Sequence, residues 1–497
     1  MVKRTSIFSV TDTRYVWSGV LISEEDKSEV GEATFLVDEN GEVTGNIEIE
    51  GTFYELRSLD KTGMHALIKL NLEHINQNTN DVVNIKTSSA KNVDPQTGII
   101  NAPITTQSGP RCSPEMQSVM VLYTAAAAYG KDINSLIYLA IQEMNESYSE
   151  SQVTNLRMQL AHAQQINFSE TNDVEFDLNR FSSDSYVQNL RDQYQADLVI
   201  LLTGSYYNNI AGVASGIYPG SNNAYALVVA DYATAGHFTL AHEVGHLQGA
   251  QHHPMDPIDP NGPFAYGFGH RFMYRSGFLG MVKNYRATIM AYTWDETGNT
   301  SFSKVKRLSN PNVFYRGKGT GISNERENYK VLKETASTIA DYRNPNELRA
   351  TVSITAYPTQ FSNVVFNANV CGGSGSYSYA WKITQDPFNY GSIQSTSQTF
   401  SPVLTPGVWY TKLTASTSTG QQAVAFSGVH VLADCDDPHQ IFCEEPLLKV
   451  EAAHVEGDNS EVGLLDSYPN PFNPTTQVSF ALVQPEEVKL NGISNVF

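Results

Sequence analysis

Short runs of alternating apolar and polar residues fill the first 105 positions of the chain, which predicts β-strands joined by tight turns. The stretch ATFLVDENGEVTGNIEIEG places such runs on both sides of Asn40-Gly41, a dipeptide typical of a two-residue hairpin turn. The stretch NVDPQTGIINAPITTQSGPRCSPE that follows is rich in turn formers and has no periodicity. We therefore expect a β-rich domain over residues 1–105, followed by a linker.

From residue 106 to 346 the pattern changes, and strand-like runs alternate with helical ones. Continuous apolar runs in QSVMVLYTAAA, DLVILLTG and AYALVVADY predict buried strands. Apolar residues at helical spacing in DINSLIYLAIQEMNESYSE, SDSYVQNLRDQYQA and RENYKVLKETASTIADYR predict helices, the first of them capped by Asp132. This alternation predicts an α/β domain.

Residues 349–433 return to a β pattern, with five strand-like runs separated by Gly, Ser and Pro turns, which predicts a β-sandwich. Residues 434–465 are acidic and aperiodic, so they predict a linker. The chain is thus expected to be multidomain, with a final segment over residues 466–497.

Charge and composition narrow the classes of partner. A formal net charge of −20 over 497 residues argues against nucleic acid as a partner, because binding phosphates needs a basic surface. No stretch approaches the roughly 18 consecutive apolar residues of a membrane helix, so we expect no transmembrane segment. The N-terminal residues lack the apolar core of a signal peptide, and we expect the β-rich domain to be truncated at its start.

The segment AHEVGHLQGAQHHP holds four of the 12 histidines of the chain. His242 and His246 are four residues apart, so on a helix their side chains lie on one face and can bind one cation. Glu243 lies beside that face, where it can accept a proton from a metal-bound water. Gly249 can adopt the left-handed conformation that ends a helix, which lets the chain turn and bring His252 in as third ligand.

The alternative is a polar helix end with surface histidines. A bare HExxH arises by chance, but the longer spacing HExxHxxGxxH does so rarely, which favours the metal site. Three protein nitrogens leave a fourth position for water, as in catalytic rather than structural zinc sites.

The string HEVGHLQGAQH matches every fixed position of the metzincin signature, and the chain resembles the metzincin zinc metalloproteases. Metzincins carry a methionine turn downstream, and YRATIMAYTW supplies Met290 and Tyr292. The resemblance implies a catalytic Zn²⁺, a mixed sheet with helices, an apolar floor formed by Met290, and a phenol at Tyr292 that binds the metal or the oxyanion. A plain packed aromatic is the alternative for Tyr292.

The residues after the methionine turn resemble bacterial reprolysin-like secreted proteases, although His253 differs from the acidic residue usual in related families. We interpret His253 as a neighbour of the site and not as a ligand. Asp256, Asp259 and Asn261 are candidate Ca²⁺ ligands, but they do not form a complete EF-hand loop, and ordinary turn chemistry is the favoured interpretation. The cationic side chains of Arg271, Arg275, Lys283 and Arg286 favour either acidic substrate residues or a charged surface, and the sequence leaves this open.

The stretch PRCSPE resembles the thiolate latch of matrix metalloproteases, with Cys112 as a ligand that blocks the open metal position. The alternatives are a free thiol or a disulfide with another cysteine. Cys435 and Cys443 are close enough in sequence to pair with each other, which would leave Cys112 and Cys371.

The terminal regions carry resemblances of their own. Residues 1–105 resemble a prodomain that inhibits the enzyme until it is cut within 90–112, with a stable binding domain as the alternative. The stretch CGGSGSYSYAW resembles the start of Ig-like modules of the polycystic-kidney-disease (PKD) type. YPNPFNPTTQVSFAL resembles the sorting tail that the type IX secretion machinery of Bacteroidetes-like bacteria recognises, here partial, with a Pro-rich linker as the alternative.

Together these observations predict a secreted or cell-surface bacterial zinc endopeptidase that acts on proteins or peptides. His242, His246 and His252 hold the zinc, zinc-bound water attacks the peptide bond, and Glu243 is the general base. AYALVVADY is expected to be the edge strand that the substrate extends. The alternative is a catalytically idle zinc-containing surface adhesin.

Overall fold

The chain folds into two compact units, whose bounds differ from those of the predicted domains. The terminal unit comprises residues 1–70, 108–112 and 346–497, and the central unit comprises residues 71–107 and 113–345. Residues 1–70 of the predicted N-terminal domain therefore share a unit with the predicted sandwich, whereas its residues 71–105 fall in the central unit. The computed structural model describes residues 2–23, 28–58, 64–70, 82, 112–205, 207, 210–234, 236–256, 262–277, 280–295, 297–343, 347–354, 364–431, 463–468 and 477–479.

The terminal unit begins with an antiparallel sheet in which each strand pairs with the next along the chain. Its strands are β1 (Val2–Thr11), β2 (Arg14–Ile22), β3 (Glu29–Asp38), β4 (Val43–Ile49), β5 (Thr52–Ser58) and β6 (Met64–Lys69). The predicted turn at Asn40-Gly41 joins β3 to β4, and Gly41 has a φ of +79°, which glycine adopts without strain. The carboxylate of Asp38 accepts hydrogen bonds from the backbone N–H groups of Asn40 and Glu42 at 2.9 Å each, which fixes the turn.

The central unit is built on a five-stranded mixed sheet in the order β10-β11-β9-β7-β8. All neighbours are parallel except β10, which runs antiparallel to β11 at one edge. The strands are β7 (Glu115–Tyr123), β8 (Leu156–Gln165), β9 (Leu198–Thr203), β10 (Gly212–Ala214) and β11 (Tyr225–Val229). The helices are α1 (Ala125–Ala128), α2 (Ile133–Glu150), α3 (Val174–Ser183), α4 (Ser185–Gln193), α5 (Thr239–Leu247) and α6 (Asn328–Ala340).

Smaller strands complete this unit: β12 (Arg271–Ser276), β13 (Val282–Ala287), β14 (Ser303–Lys304), β15 (Phe314–Tyr315) and β16 (Lys318–Gly319). The predicted α/β pattern is confirmed, and Asp132 caps α2 by accepting the Ser135 N–H at 3.1 Å. All six residues of β9 are buried, as its apolar run predicts. The helix α3, the strand β8 and the hairpin of β12 and β13 are additions that the sequence pattern did not predict.

The C-terminal part of the terminal unit forms two three-stranded sheets, β17-β18-β20 and β19-β21-β22. The strands are β17 (Arg349–Ile354), β18 (Phe366–Cys371), β19 (Tyr377–Thr384), β20 (Thr399–Phe400), β21 (Gly407–Thr417) and β22 (Gln422–Val431). Trp381, Phe366 and Leu413 are each 0 % exposed in a core shared by both sheets, which gives the sandwich its hydrophobic centre.

In the tail, β23 (Gly463–Tyr468) pairs antiparallel with β6, and β24 (Gln477–Ser479) pairs with β23. Cys435 and Cys443, the acidic linker and the remainder of the sorting tail lie outside the described residues. Among the helices of the described part, none is long and apolar enough to cross a membrane.

A disulfide overturns the prediction of a thiolate latch. Cys112 is joined to Cys371 across 259 residues of sequence, with their Cα atoms 5.0 Å apart. A sulfur engaged in a disulfide has no thiolate to offer a metal, so the latch prediction for Cys112 is wrong in this structure. The disulfide left open by the sequence is the one that forms.

Candidate metal centre and active site

The helix α5 presents the candidate ligands because its end is sharply defined. The helix stops at Leu247, and Gly249 has a φ of +105°, the left-handed conformation that the sequence predicts there. A Cβ on Gly249 would lie 2.8 Å from Cε2 of Phe264, so a larger residue would also collide. The chain reverses at this turn and returns toward the helix with His252.

The three predicted ligands meet at one point. The Nε2 atom of His242 lies 3.1 Å from Nε2 of His246 and 3.1 Å from Nε2 of His252, and the last two are 2.8 Å apart. All three residues are buried, with at most 3 % of each side chain exposed. A tetrahedral zinc with Zn–N bonds of about 2.0–2.1 Å holds its nitrogens roughly 3.3–3.4 Å apart, so the triangle is only slightly smaller than the metal requires.

The hydrogen bonds of the outer ring nitrogens show why a cation fits. Nδ1 of His242 donates to the carbonyl of Ile289 at 2.9 Å, and Nδ1 of His246 donates to the carbonyl of Ala250 at 2.9 Å. A carbonyl only accepts, so in the neutral imidazoles the proton sits on Nδ1 and the lone pair on Nε2. Lone pairs that face one another in a buried space repel unless a cation lies between them, which is the donor arrangement of a zinc site.

Glu243 occupies the position next to the ligands on α5 and is 1 % exposed. The edge strand β10 passes over it, since a Cβ on Gly212 would come within 2.7 Å of Oε1 of Glu243 and 2.7 Å of Cγ2 of Thr239. The predicted substrate strand AYALVVADY is therefore the wrong one, because β11 lies inside the sheet and β10 is its edge. Gly212 carried no sequence signal, since β10 has only three residues.

Met290 lies beneath the helix, where the methionine turn was expected to form a floor. It is 0 % exposed, and a Cβ on Gly245 would collide with its sulfur. Gly245 therefore allows the methionine to approach the helix backbone between the two ligand histidines. Glycine inside a helix lowers the stability of the helix, so its presence at position 245 points to a packing requirement. This was the sequence signal for the close approach of Met290.

Tyr292 lies against the histidines. Its ring centroid is 4.5 Å from that of His252 and 6.2 Å from that of His242. Its backbone is held on both sides, since its N–H donates to Asp256 at 2.9 Å and its carbonyl accepts from Nε of Arg271 at 3.1 Å. Asp256 and Arg271 are themselves ion-paired and almost fully buried.

This pairing bears on the Ca²⁺ prediction. The carboxylate of Asp256 is engaged by Arg271 and by the Tyr292 backbone, so its observed partners are protein donors. Asp259 and Asn261 lie outside the described residues. His253 is not part of the histidine cluster, as expected, and its Nδ1 accepts the Met255 N–H at 3.3 Å.

A buried lysine contacts a backbone carbonyl that also holds one of the three histidines, and no sequence pattern marked this lysine as a site residue. Nζ of Lys304 donates to the carbonyl of Ile289 at 2.8 Å, the same carbonyl that holds Nδ1 of His242. Lys304 is 8 % exposed. Burial and the charge of Lys304 lower the pKa of His237, just before α5, to about 3, so that ring is neutral beside the ammonium.

Comparison with known proteins agrees with this geometry. Residues 118–303 match the family model described as Metallo-peptidase family M12. A peptidyl-Asp metalloendopeptidase of Stenotrophomonas maltophilia is 32% identical over 357 residues, which cover 68% of this chain and 80% of that protein. One of Xanthomonas campestris is 33% identical over 321 residues, which cover 63% of this chain and 70% of that protein. The solved structure of metalloproteinase-II from Bacteroides fragilis matches at 13% identity and a TM-score of 0.24, covering 48% of this chain and 78% of that one, too weak a likeness to support an argument.

Proposed function

Because the chain belongs to Metallo-peptidase family M12, we propose that it is a secreted, zinc-dependent endopeptidase in which Glu243 is the general base. The convergence of three Nε2 atoms on one buried point carries this proposal, and in His242 and His246 a hydrogen bond from Nδ1 to a backbone carbonyl leaves the lone pair on Nε2. When bound, zinc would polarise the substrate carbonyl and acidify a water molecule.

The residues around that point divide the remaining work. Glu243 takes a proton from the attacking water and delivers it to the leaving amine, which its place beside the ligands on α5 allows. The edge strand β10 aligns an extended peptide above Glu243 by main-chain hydrogen bonds. Tyr292, held by Asp256 and Arg271, offers a phenol for the developing oxyanion.

The N-terminal region supplies the inhibitor in this proposal. Val82 forms a parallel β-bridge with Ala214 of β10 and is 4 % exposed. Val82 belongs to the predicted prodomain, and its bridge to Ala214 occupies the edge of β10 to which a substrate peptide would add. A peptide that adds to β10 must displace it, so a cut downstream of Val82 would free the edge.

The names of two relatives, both called peptidyl-Asp metalloendopeptidases, support a proposal about substrate preference. We propose that this chain also cleaves beside aspartate and that Lys304 binds the carboxylate. Its ammonium is buried next to the carbonyl that orients His242, so its attraction to a substrate carboxylate would be stronger than in water.

The four cations considered from the sequence fit this role less well. Arg271 is engaged by Asp256 and the Tyr292 carbonyl. Arg275 and Lys283 are exposed. Arg286 contacts Tyr274 and the Tyr285 carbonyl, whereas Lys304 contacts the carbonyl that holds His242.

Cleavage of denatured casein tests the function, with wild type compared with Glu243→Ala, each with and without a chelator, after removal of residues 1–111. Loss of activity in the variant and on chelation is expected. Equal and negligible activity in both proteins would favour the idle adhesin. Deleting residues 466–497 and measuring the protein in the medium of a bacterium with type IX secretion tests the exported location.

A further inference from the structure

The N-terminal sheet and the C-terminal sandwich share a small hydrophobic core within the terminal unit. This contact, called here the sheet–sandwich interface, comprises Tyr390, Val408, Tyr410 and Phe426 from the sandwich with Ile7 and Tyr15 from β1 and β2. The ring of Tyr15 lies 5.9 Å from that of Tyr410, edge to face, and burial raises the pKa of Tyr15 to about 12. The interface is therefore built mainly from apolar and aromatic side chains.

Polar groups in the interface are also matched. The hydroxyl of Tyr390 donates to Oγ of Ser9 at 2.7 Å, and both residues are buried. Nζ of Lys412 pairs with the carboxylate of Asp12 at 2.5 Å nearer the surface. A buried hydrogen bond of this kind favours one orientation of the N-terminal sheet on the sandwich, because leaving either polar group buried without its hydrogen bond is costly.

The backbones of the two parts touch at Gly428 of β22. A Cβ at this position would collide with the carbonyl oxygen of Ile7 and would lie 3.1 Å from Cα of Phe8. Contact between main chains at this distance is typical of permanently packed elements, where glycine is needed for close approach.

The covalent connections do not hold the two parts together after a cut. The first cysteine of the chain is Cys112, so residues 1–111 contain none, and the disulfide of Cys112 with Cys371 lies beyond the expected cleavage region. A fragment released by cutting between 71 and 111 would be held by noncovalent contacts alone.

We propose that the N-terminal sheet, residues 2–70, stays bound to the sandwich as a noncovalent partner after the chain is cut. The part of the N-terminal region that must leave the active site is the segment carrying Val82, and the sheet remains as a constituent of the mature protein. This goes beyond the proposed function, since it assigns the sandwich a binding surface and a resident partner.

The test uses the full chain in a Glu243→Ala background, which prevents self-cleavage. Recognition sites for two specific proteases, flanked by flexible residues, are inserted between His74 and Ile75 and between Gln96 and Thr97. Cutting at both sites excises the segment with Val82, so that only the terminal unit can retain residues 1–74. Complete cutting is verified on a denaturing gel, and retention is measured by gel filtration at micromolar and nanomolar concentrations.

Two matched substitutions on one face of β22 decide which surface holds the fragment. Gly428→Thr introduces a strand-compatible side chain where the backbone of β1 lies. Val424→Thr introduces the same residue four positions away on that face, where the side chain is 48 % exposed. Lys412→Ala is a milder change that keeps the test valid if Gly428→Thr fails to fold, and the Cys112–Cys371 disulfide reports folding.

We expect the cut wild type and the Val424→Thr variant to elute with the fragment bound. In Gly428→Thr the dissociation constant should rise at least tenfold, with a smaller rise in Lys412→Ala. Release of the fragment from the cut wild type at micromolar concentration would overturn the proposal. So would equal retention by folded Gly428→Thr, because the sandwich would then not be the holding surface.

Discussion

Replacing Lys304 by methionine tests the proposed preference for aspartate and the proposed role of Lys304 in it. The substitution keeps most of the side-chain volume and removes the ammonium that donates to the Ile289 carbonyl at 2.8 Å. A hydrogen bond to a charged group contributes about 1.5–3 kcal/mol. Since about 1.4 kcal/mol corresponds to a factor of ten, the ratio of kcat/KM for an aspartate peptide over its asparagine counterpart should fall roughly 10- to 150-fold.

The ratio of the two substrates is the useful readout, because a loose Ile289 carbonyl would slow both equally. Lys306→Met is the matched control, since Lys306 is also buried, and its ammonium pairs with Glu146 at 2.5 Å. It should leave the ratio unchanged. Lys304→Met should also raise the pKa of His237, because the charge of Lys304 lowers that pKa. NMR titration measures this change. An unchanged ratio in Lys304→Met, with zinc still bound, would refute the role of this side chain.

Three further outcomes are expected. Glu243→Gln should reduce kcat by about 10²–10⁴ while zinc content by metal analysis stays the same, and a chelator should abolish wild-type activity until zinc is returned. In the folded protein the pKa of His237 is lowered from 6.5 to about 3, so its ring is neutral. The contribution of His237 to the free energy of unfolding is therefore complete above pH 6.5 and is lost as the pH falls toward 3. In His237→Gln the stability lost between pH 7 and pH 5, measured by urea unfolding, should be about 2 kcal/mol smaller than in the wild type, and an unchanged loss in the variant would contradict the assignment. Asp256→Asn should lower the free energy of unfolding by about 3–5 kcal/mol, because it leaves Arg271 buried without its counterion. Asp231→Asn, in a more exposed pair, should lower it by under about 1 kcal/mol in the same urea unfolding assay.

Strongly periodic segments were predictable from sequence because their burial is one-sided. The helix α2 begins after Asp132 and the hairpin turns at Gly41, both where local chemistry fixes the backbone. The strand β8 was missed because most of its residues are half-buried at the sheet edge, which leaves no clean alternation. The three residues of β10 are too few to carry any period, and only the topology identifies them as the edge.

The clustering of the three histidines was predictable from sequence, and the contacts of the other site residues were not. The reason is the distance along the chain between the groups that meet. His242, His246 and His252 lie within one helix and its terminal turn, where 3.6-residue geometry and one glycine decide the outcome. Lys304 reaches the same site through the carbonyl of Ile289, 15 residues earlier, and Asp256 reaches the backbone of Tyr292 across 36 residues. A main-chain carbonyl has no residue type, so the sequence cannot mark it as a partner. The groups that hold the backbone around the three histidines are therefore identified only once the chain is folded, whereas the histidines themselves lie within eleven consecutive residues.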